Sequence, residues 1–122
     1  MLWSPVALAD PTELVCKGDS YVYVGDNWQK LDNMQVRIQL DLETGRLLQY
    51  ALARNLEQFV LGKSDQFVHF DRSILFSQNR VINESIQINR MSGRILHLMV
   101  DEKNDQQQTV FVGKCGRGRR LF

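Results

Sequence analysis

The sequence is poor in the residues that announce chemistry or a membrane. It has two cysteines, two prolines and two histidines in 122 residues, and nowhere a run approaching the ~20 apolar residues of a membrane-spanning helix. These shortages exclude a disulfide-dense scaffold, a cysteine-rich zinc module and a helical membrane span. An excess of charge of one sign is also missing, since 15 Lys and Arg stand against 14 Asp and Glu for a formal charge of +1. A body so balanced lacks the electrostatic footprint of a dedicated nucleic-acid binder, and nucleic acid is not the expected partner. Its glycines are scattered among turns, which leaves no phosphate-cradling loop. A nucleophile needs a base within reach and a group that orients the base. The only candidate bases of that kind, His69 and His97, each lie in a strand-like segment, His97 on one face with Ile95 and Met99. No catalytic residue, metal or cofactor is therefore expected. A zinc set of Cys16, Cys115, His69 and His97 lacks the close Cys and His pairings such sites use. Asp101-Glu102 beside Lys103 reads as a solvated loop, and Asn83-Glu84-Ser85 fits a glycosylation acceptor only in a eukaryotic secretory setting.

What is present is β structure. Met34, Val36, Ile38, Leu40 and Leu42 alternate strictly with Gln35, Arg37, Gln39 and Asp41, the mark of a strand with one buried and one wet face. Shorter alternations run over 21–24, 67–70, 82–88, 95–100 and 109–112. Turn chemistry punctuates them at 25–27, 43–45, 62–64, 77–79, 91–93 and 103–105. Strands at this spacing predict a single all-β domain, an antiparallel barrel or sandwich of about eight strands. Asp41-Leu42-Glu43-Thr44-Gly45-Arg46 is echoed by Asn89-Arg90-Met91-Ser92-Gly93-Arg94. That is expected to be two hairpins of one design, with Gly supplying positive φ and Asp or Asn bonding the turning backbone. Residues 46–61 are ambiguous, because their apolar spacing also fits a helical stripe. A strand is expected over the first half, with a short helix possible near 55–61.

The ends carry the remaining signals. Residues 1–9 are apolar apart from Ser4, and Ala7-Leu8-Ala9 has the small-x-small spacing of a signal-peptidase site, but no basic n-region precedes them. They read as a truncated signal peptide or an N-terminal arm, with the β domain over 10–115. Cys16 and Cys115 lie near the two ends of that domain, as free thiols or as one bridge. An export signal favours the bridge, and with it a periplasmic or secreted protein. Residues 116–122 form a basic tail whose Arg117, Arg119 and Arg120, with Lys114 just before it, make a solvated end or a contact for phosphates or an acidic partner. Trp28 in the polar turn "GDNWQK" is a lid or a binding anchor. Arg90 and Arg94, flanking the second hairpin turn, are the other candidate binding residues.

Cys16-Lys17-Gly18, Ile88-Asn89-Arg90-Met91-Ser92-Gly93 and Gly113-Lys114-Cys115 together resemble the C-K-G, I-N-R-x-S/T-G and G-x-C pattern of small secreted proteobacterial β-domains. The resemblance implies a signal peptide, a disulfide and an antiparallel β fold, and implies no reaction. Size and plan are also similar to periplasmic lysozyme inhibitors of the small β-barrel type, whose inhibitory loop motifs are not matched here. The expected function is an exported, non-enzymatic domain that binds a protein or envelope ligand, as an inhibitor or immunity-like factor. The alternatives are a barrel carrying a small apolar ligand, and a cytosolic nucleic-acid binder using the basic tail. A monomer or an edge-paired dimer is expected.

Overall fold

The computed structural model describes residues 12–77, 80–103 and 108–117. Their strands are β1 (Thr12–Val24), β2 (Asn27–Asp41), β3 (Arg46–Tyr50), β4 (Val60–Lys63), β5 (Phe67–Ser77), β6 (Arg80–Asn89), β7 (Arg94–Asp101) and β8 (Gln108–Arg117). All pair antiparallel in the order β3-β2-β1-β8-β7-β6-β5-β4, a nearly closed barrel. Every pairing joins strands consecutive in the chain except at one seam, where the first strand meets the last. Only β3 and β4 keep a free edge, and both are short, which limits pairing with another chain.

Alternation dictates the interior. Val36, Ile38 and Leu40 of β2, Val68 and Phe70 of β5, Ile86 and Ile88 of β6, and Phe111 of β8 are buried inside, while their neighbours along each strand point out. The expected strand over the first half of 46–61 is β3. The helix possible near 55–61 is a single 3-10 turn at Leu56–Gln58, followed by β4 from Val60. Asn55 at φ 52 starts that turn and Phe59 leaves it extended, so no α-helix can propagate. Gly62 is not a helix cap but a strand residue opposite His69, and the turn expected at 62–64 lies over 64–66, closed by Ser64 N donating to Phe67 O at 2.8 Å. The turns expected at 77–79 and 103–105 lie largely outside the described residues. β1 runs from Thr12, well before the expected strand at 21–24, and β8 extends through Gly116 and Arg117 into the expected tail.

The two echoed turns are built alike. Asp41 Oδ1 accepts from the Glu43 and Thr44 amides at 3.0 and 3.3 Å, and Gly45 sits at φ 72. Asn89 Oδ1 accepts from the Met91 and Ser92 amides at 2.8 and 3.0 Å, and Gly93 sits at φ 81. In both, the glycine amide closes the turn on the Asx carbonyl, at 2.9 and 2.8 Å.

At the seam, two inverted tripeptides lie in register: Cys16 faces Cys115, Lys17 faces Lys114 and Gly18 faces Gly113. The cysteines form a disulfide between residues 99 apart in sequence. A side chain at Gly18 would collide with the Val112 carbonyl, and one at Gly113 with that of Lys17. Because these obstacles are backbone, Gly18→Ala should cost at least the upper end of the ~1–3 kcal/mol seen for overpacking. A lowered urea midpoint checks it; an unchanged midpoint means the seam yields.

Candidate functional site

The barrel interior is not wholly apolar. At inward positions β5 carries Arg72, β6 Glu84 and β7 His97, and the last residue of β3 is Tyr50. Arg72 lies directly opposite Glu84 in the β5–β6 ladder and reaches its Oε1 through both Nε and Nη2 at 2.8 Å. His97 Nε2 meets Glu84 Oε2 at 2.5 Å, and Tyr50 Oη lies 2.7 Å from His97 Nδ1. A carboxylate only accepts, so His97 donates from Nε2 and its Nδ1 accepts from the phenol when the ring is neutral. Burial, with the Glu84 charge adding to it, pushes the Tyr50 phenol well above its ordinary range, so it remains a donor and is not an activated nucleophile. Arg72 Nη1 also donates to the carbonyls of Arg54 and Asn55 at 2.6 and 2.8 Å, and its guanidinium lies 4.0 Å over the Phe59 ring. The segment 51–59, which spans the gap between the edge strands β3 and β4, is thus docked by the buried cation. Among the described residues no buried side-chain polar atom is unpaired. This arrangement is a polar clasp within the barrel, with Tyr50, His97 and Glu84 buried from solvent.

Burial by itself would raise the Glu84 carboxyl, but hydrogen bonds from His97 and Arg72 and their charges outweigh it and hold the group below its ordinary 4.5. The unfolded chain therefore binds this proton more readily than the folded one. The stabilisation is complete above the unfolded value and is lost as pH falls through the lower folded value. Urea midpoints measured downward from about pH 5 should drop, most steeply below about pH 4, and Glu84→Gln should flatten that slope. An equally steep slope in the variant would assign acid sensitivity to other carboxylates.

His69 also has a carboxylate, with Nδ1 2.6 Å from Asp71 Oδ2, but the pair is exposed on the outer face and the ring lies where a Gly62 side chain would be. No hydrogen bond among the described residues joins it to a hydroxyl or thiol. Both cysteines are in the bridge, which removes them as zinc ligands.

Outside the barrel, a groove of about 530 Å³ crosses β5 to β8, with Phe67, Leu96 and Val112 as its apolar floor and Gln87, Asn89 and Arg94 as its polar lining. Leu96 and Val112 are directly opposed across the β7–β8 ladder. Two residues along the ladder, on the same face, Arg94 faces Lys114, which in turn faces Lys17. All three are exposed. The chain matches no family model, no curated protein and no solved structure. Its function must be read from these surfaces.

The expected binding residues do not converge. Trp28 is 50% exposed and packs on Tyr23, ring centroids 4.9 Å apart, beside the β1–β2 turn at the end of the barrel opposite Arg94. Arg90 ties two turns together, its guanidinium donating to Ser64 O at 3.0 Å and its amide to Gln66 O. Arg94 alone lines the groove. Of the expected tail, Arg117 ends β8, while Arg119 and Arg120 lie outside the described residues. Lys114, expected as part of the basic C-terminal stretch, belongs instead to β8, and Leu96, Val112 and Lys17 escaped sequence reasoning as site residues. Their signal was present in outward positions: apolar ones where polar residues belong, and a cation on a strand whose pairing only the fold reveals.

Proposed function

We propose that this is an exported, non-enzymatic binding domain that holds a partner protein of the cell envelope on the outer face of β7 and β8, as an inhibitor or immunity-like factor would. The observation that carries the reading is the outer groove, where Phe67, Leu96 and Val112 present apolar surface beside hydrogen-bonding amides on a rigid sheet. Large apolar side chains held open on a framework of strands are a common basis for protein recognition. The core favours this reading over carriage of an apolar ligand, because Ile38, Phe70 and Ile86 fill the interior and are fully buried. The disulfide is compatible with an oxidising compartment, and no described helix is long and apolar enough to cross a membrane. The C-K-G and G-x-C pattern adds the resemblance to secreted proteobacterial β-domains.

A photo-crosslinking residue placed at Leu96 or Val112, in protein directed to the envelope by an added export signal, tests the reading in cells. A discrete adduct of the same mass is expected from both positions and not from Leu75, an exposed apolar residue of β5. No adduct, or the same adducts from Leu75, overturns the reading.

A further inference from the structure

We infer that the partner presents to this groove an extended acidic segment, whose carboxylates meet Lys17, Lys114 and Arg94 while its apolar side chains rest on Leu96 and Val112. The inference rests on the outer-face reading and adds the chemistry of the occupant. Cys16-Lys17-Gly18 and Gly113-Lys114-Cys115 pair antiparallel, like with like. The bridge and the glycines face inward, so alternation sends both lysines outward. Directly opposed residues on such strands have Cα atoms about 4.5–5.5 Å apart, and β7 adds Arg94 opposite Lys114 on the other side. Three cations therefore stand in one row across three adjacent strands. None of the three takes part in any ion pair among the described residues; the nearby carboxylate of Asp19, two residues after Lys17 and opposite Val112, is taken by Lys30 at 3.3 Å and by the Asn33 side-chain amide at 2.8 Å.

Like charges directly opposed across a ladder destabilise a sheet. Here the bridge and the close glycine pair hold them together, leaving a positive row with unmet demand for anions at the rim of an apolar groove. An anionic lipid surface would meet the cations, but a groove lined by the Gln87 amide and by Asn89, whose Oδ1 is held in the turn and whose Nδ2 remains a donor, offers hydrogen bonds that acyl chains cannot use. Peptide backbone can use them. The three-strand row spans roughly 10 Å, within reach of alternate side chains of one extended segment.

The test uses the whole oxidised protein and a short fluorescein-labelled peptide alternating aspartate and leucine, read by anisotropy. Binding is expected, weakening as salt rises from about 50 to about 500 mM, and at least about tenfold weaker in Lys114→Glu. That variant relieves repulsion with Lys17 and Arg94, so its urea midpoint should be unchanged or raised, and lost binding will not reflect lost fold. Leu96→Asp should abolish binding. If the asparagine-for-aspartate peptide binds equally well and still depends on Leu96, the acidic partner is overturned while the outer-face reading stands. Failure of both peptides overturns the inference, and the crosslinking result then judges the outer-face reading separately. Tighter, Lys114-dependent binding to phosphatidylglycerol vesicles or to a single-stranded oligonucleotide overturns the inference in favour of a lipid or nucleic-acid partner.

Discussion

Replacing Glu84 with alanine is expected to destabilise the domain by about 3–5 kcal/mol, the cost of leaving a buried partner charge uncompensated. The Arg72 side chain is 5% exposed and that of Glu84 is 0% exposed, so neither solvent nor salt can take the place of the lost partner. Removing Glu84 leaves Arg72 with only the carbonyls of Arg54 and Asn55 and the Phe59 ring, and leaves His97 Nε2 without an acceptor. A loss of that size is a large part of the 5–15 kcal/mol typical of a domain. If Glu84→Ala does not fold, Arg72→Met combined with Glu84→Leu keeps the volume without the charges. The double variant is expected to fold and to be more stable than Arg72→Met alone, since it is the unpaired charge that costs most. Guanidinium unfolding at constant slope measures all three. A loss below about 1 kcal/mol in Glu84→Ala would mean the clasp behaves as a surface pair.

The clasp also shows where sequence reading stopped. The strands of the barrel were legible because Val36, Ile38 and Leu40 alternate with polar residues, and the paired turns because Asp41 with Gly45 and Asn89 with Gly93 carry the same local chemistry. Each of these signals lies within a few residues of chain. Glu84 was readable only as part of an Asn-Glu-Ser triplet. Its inward position follows from the phase it shares with Ile86 and Ile88, and its partner Arg72 from the phase of Val68 and Phe70. A charge that falls in phase with a buried apolar set is itself a signal, but its meaning depends on which strands adjoin. The same holds for the cation row. Lys17 and Lys114 sit at opposite ends of the chain, and nothing local says that β1 pairs with β8. β4 escaped for a different reason: the helical stripe of residues 46–61 allows a short helix near 55–61, which is realised only as the 3-10 turn at Leu56–Gln58, and the chain is already extended from Val60.

Replacing both Cys16 and Cys115 with alanine is expected to cost about 4–5 kcal/mol, because the bridge joins residues 99 apart and restrains nearly the whole unfolded chain. Alanine suits the site better than serine, since Cys16 is fully buried and a hydroxyl there would need a partner. The loss should appear as a lowered guanidinium midpoint, with a steeper slope as the unbridged chain exposes more surface on unfolding. A change below about 1 kcal/mol would show that the β1–β8 ladder closes the barrel without covalent help. The bridge also bears on binding through the residues beside it. Lys17 and Lys114 follow and precede the two cysteines and face each other across the ladder, so their proximity opposes the very pairing that creates it. Where the double variant still folds, relaxation of that repulsion should splay the seam and weaken the acidic peptide more than the neutral one. Where Lys114→Glu is added to it, the repulsion is gone, and a partial recovery of stability is expected without any recovery of binding. That separation, stability regained while affinity stays lost, would identify the bridge as the device that holds a charge pair together against its own repulsion.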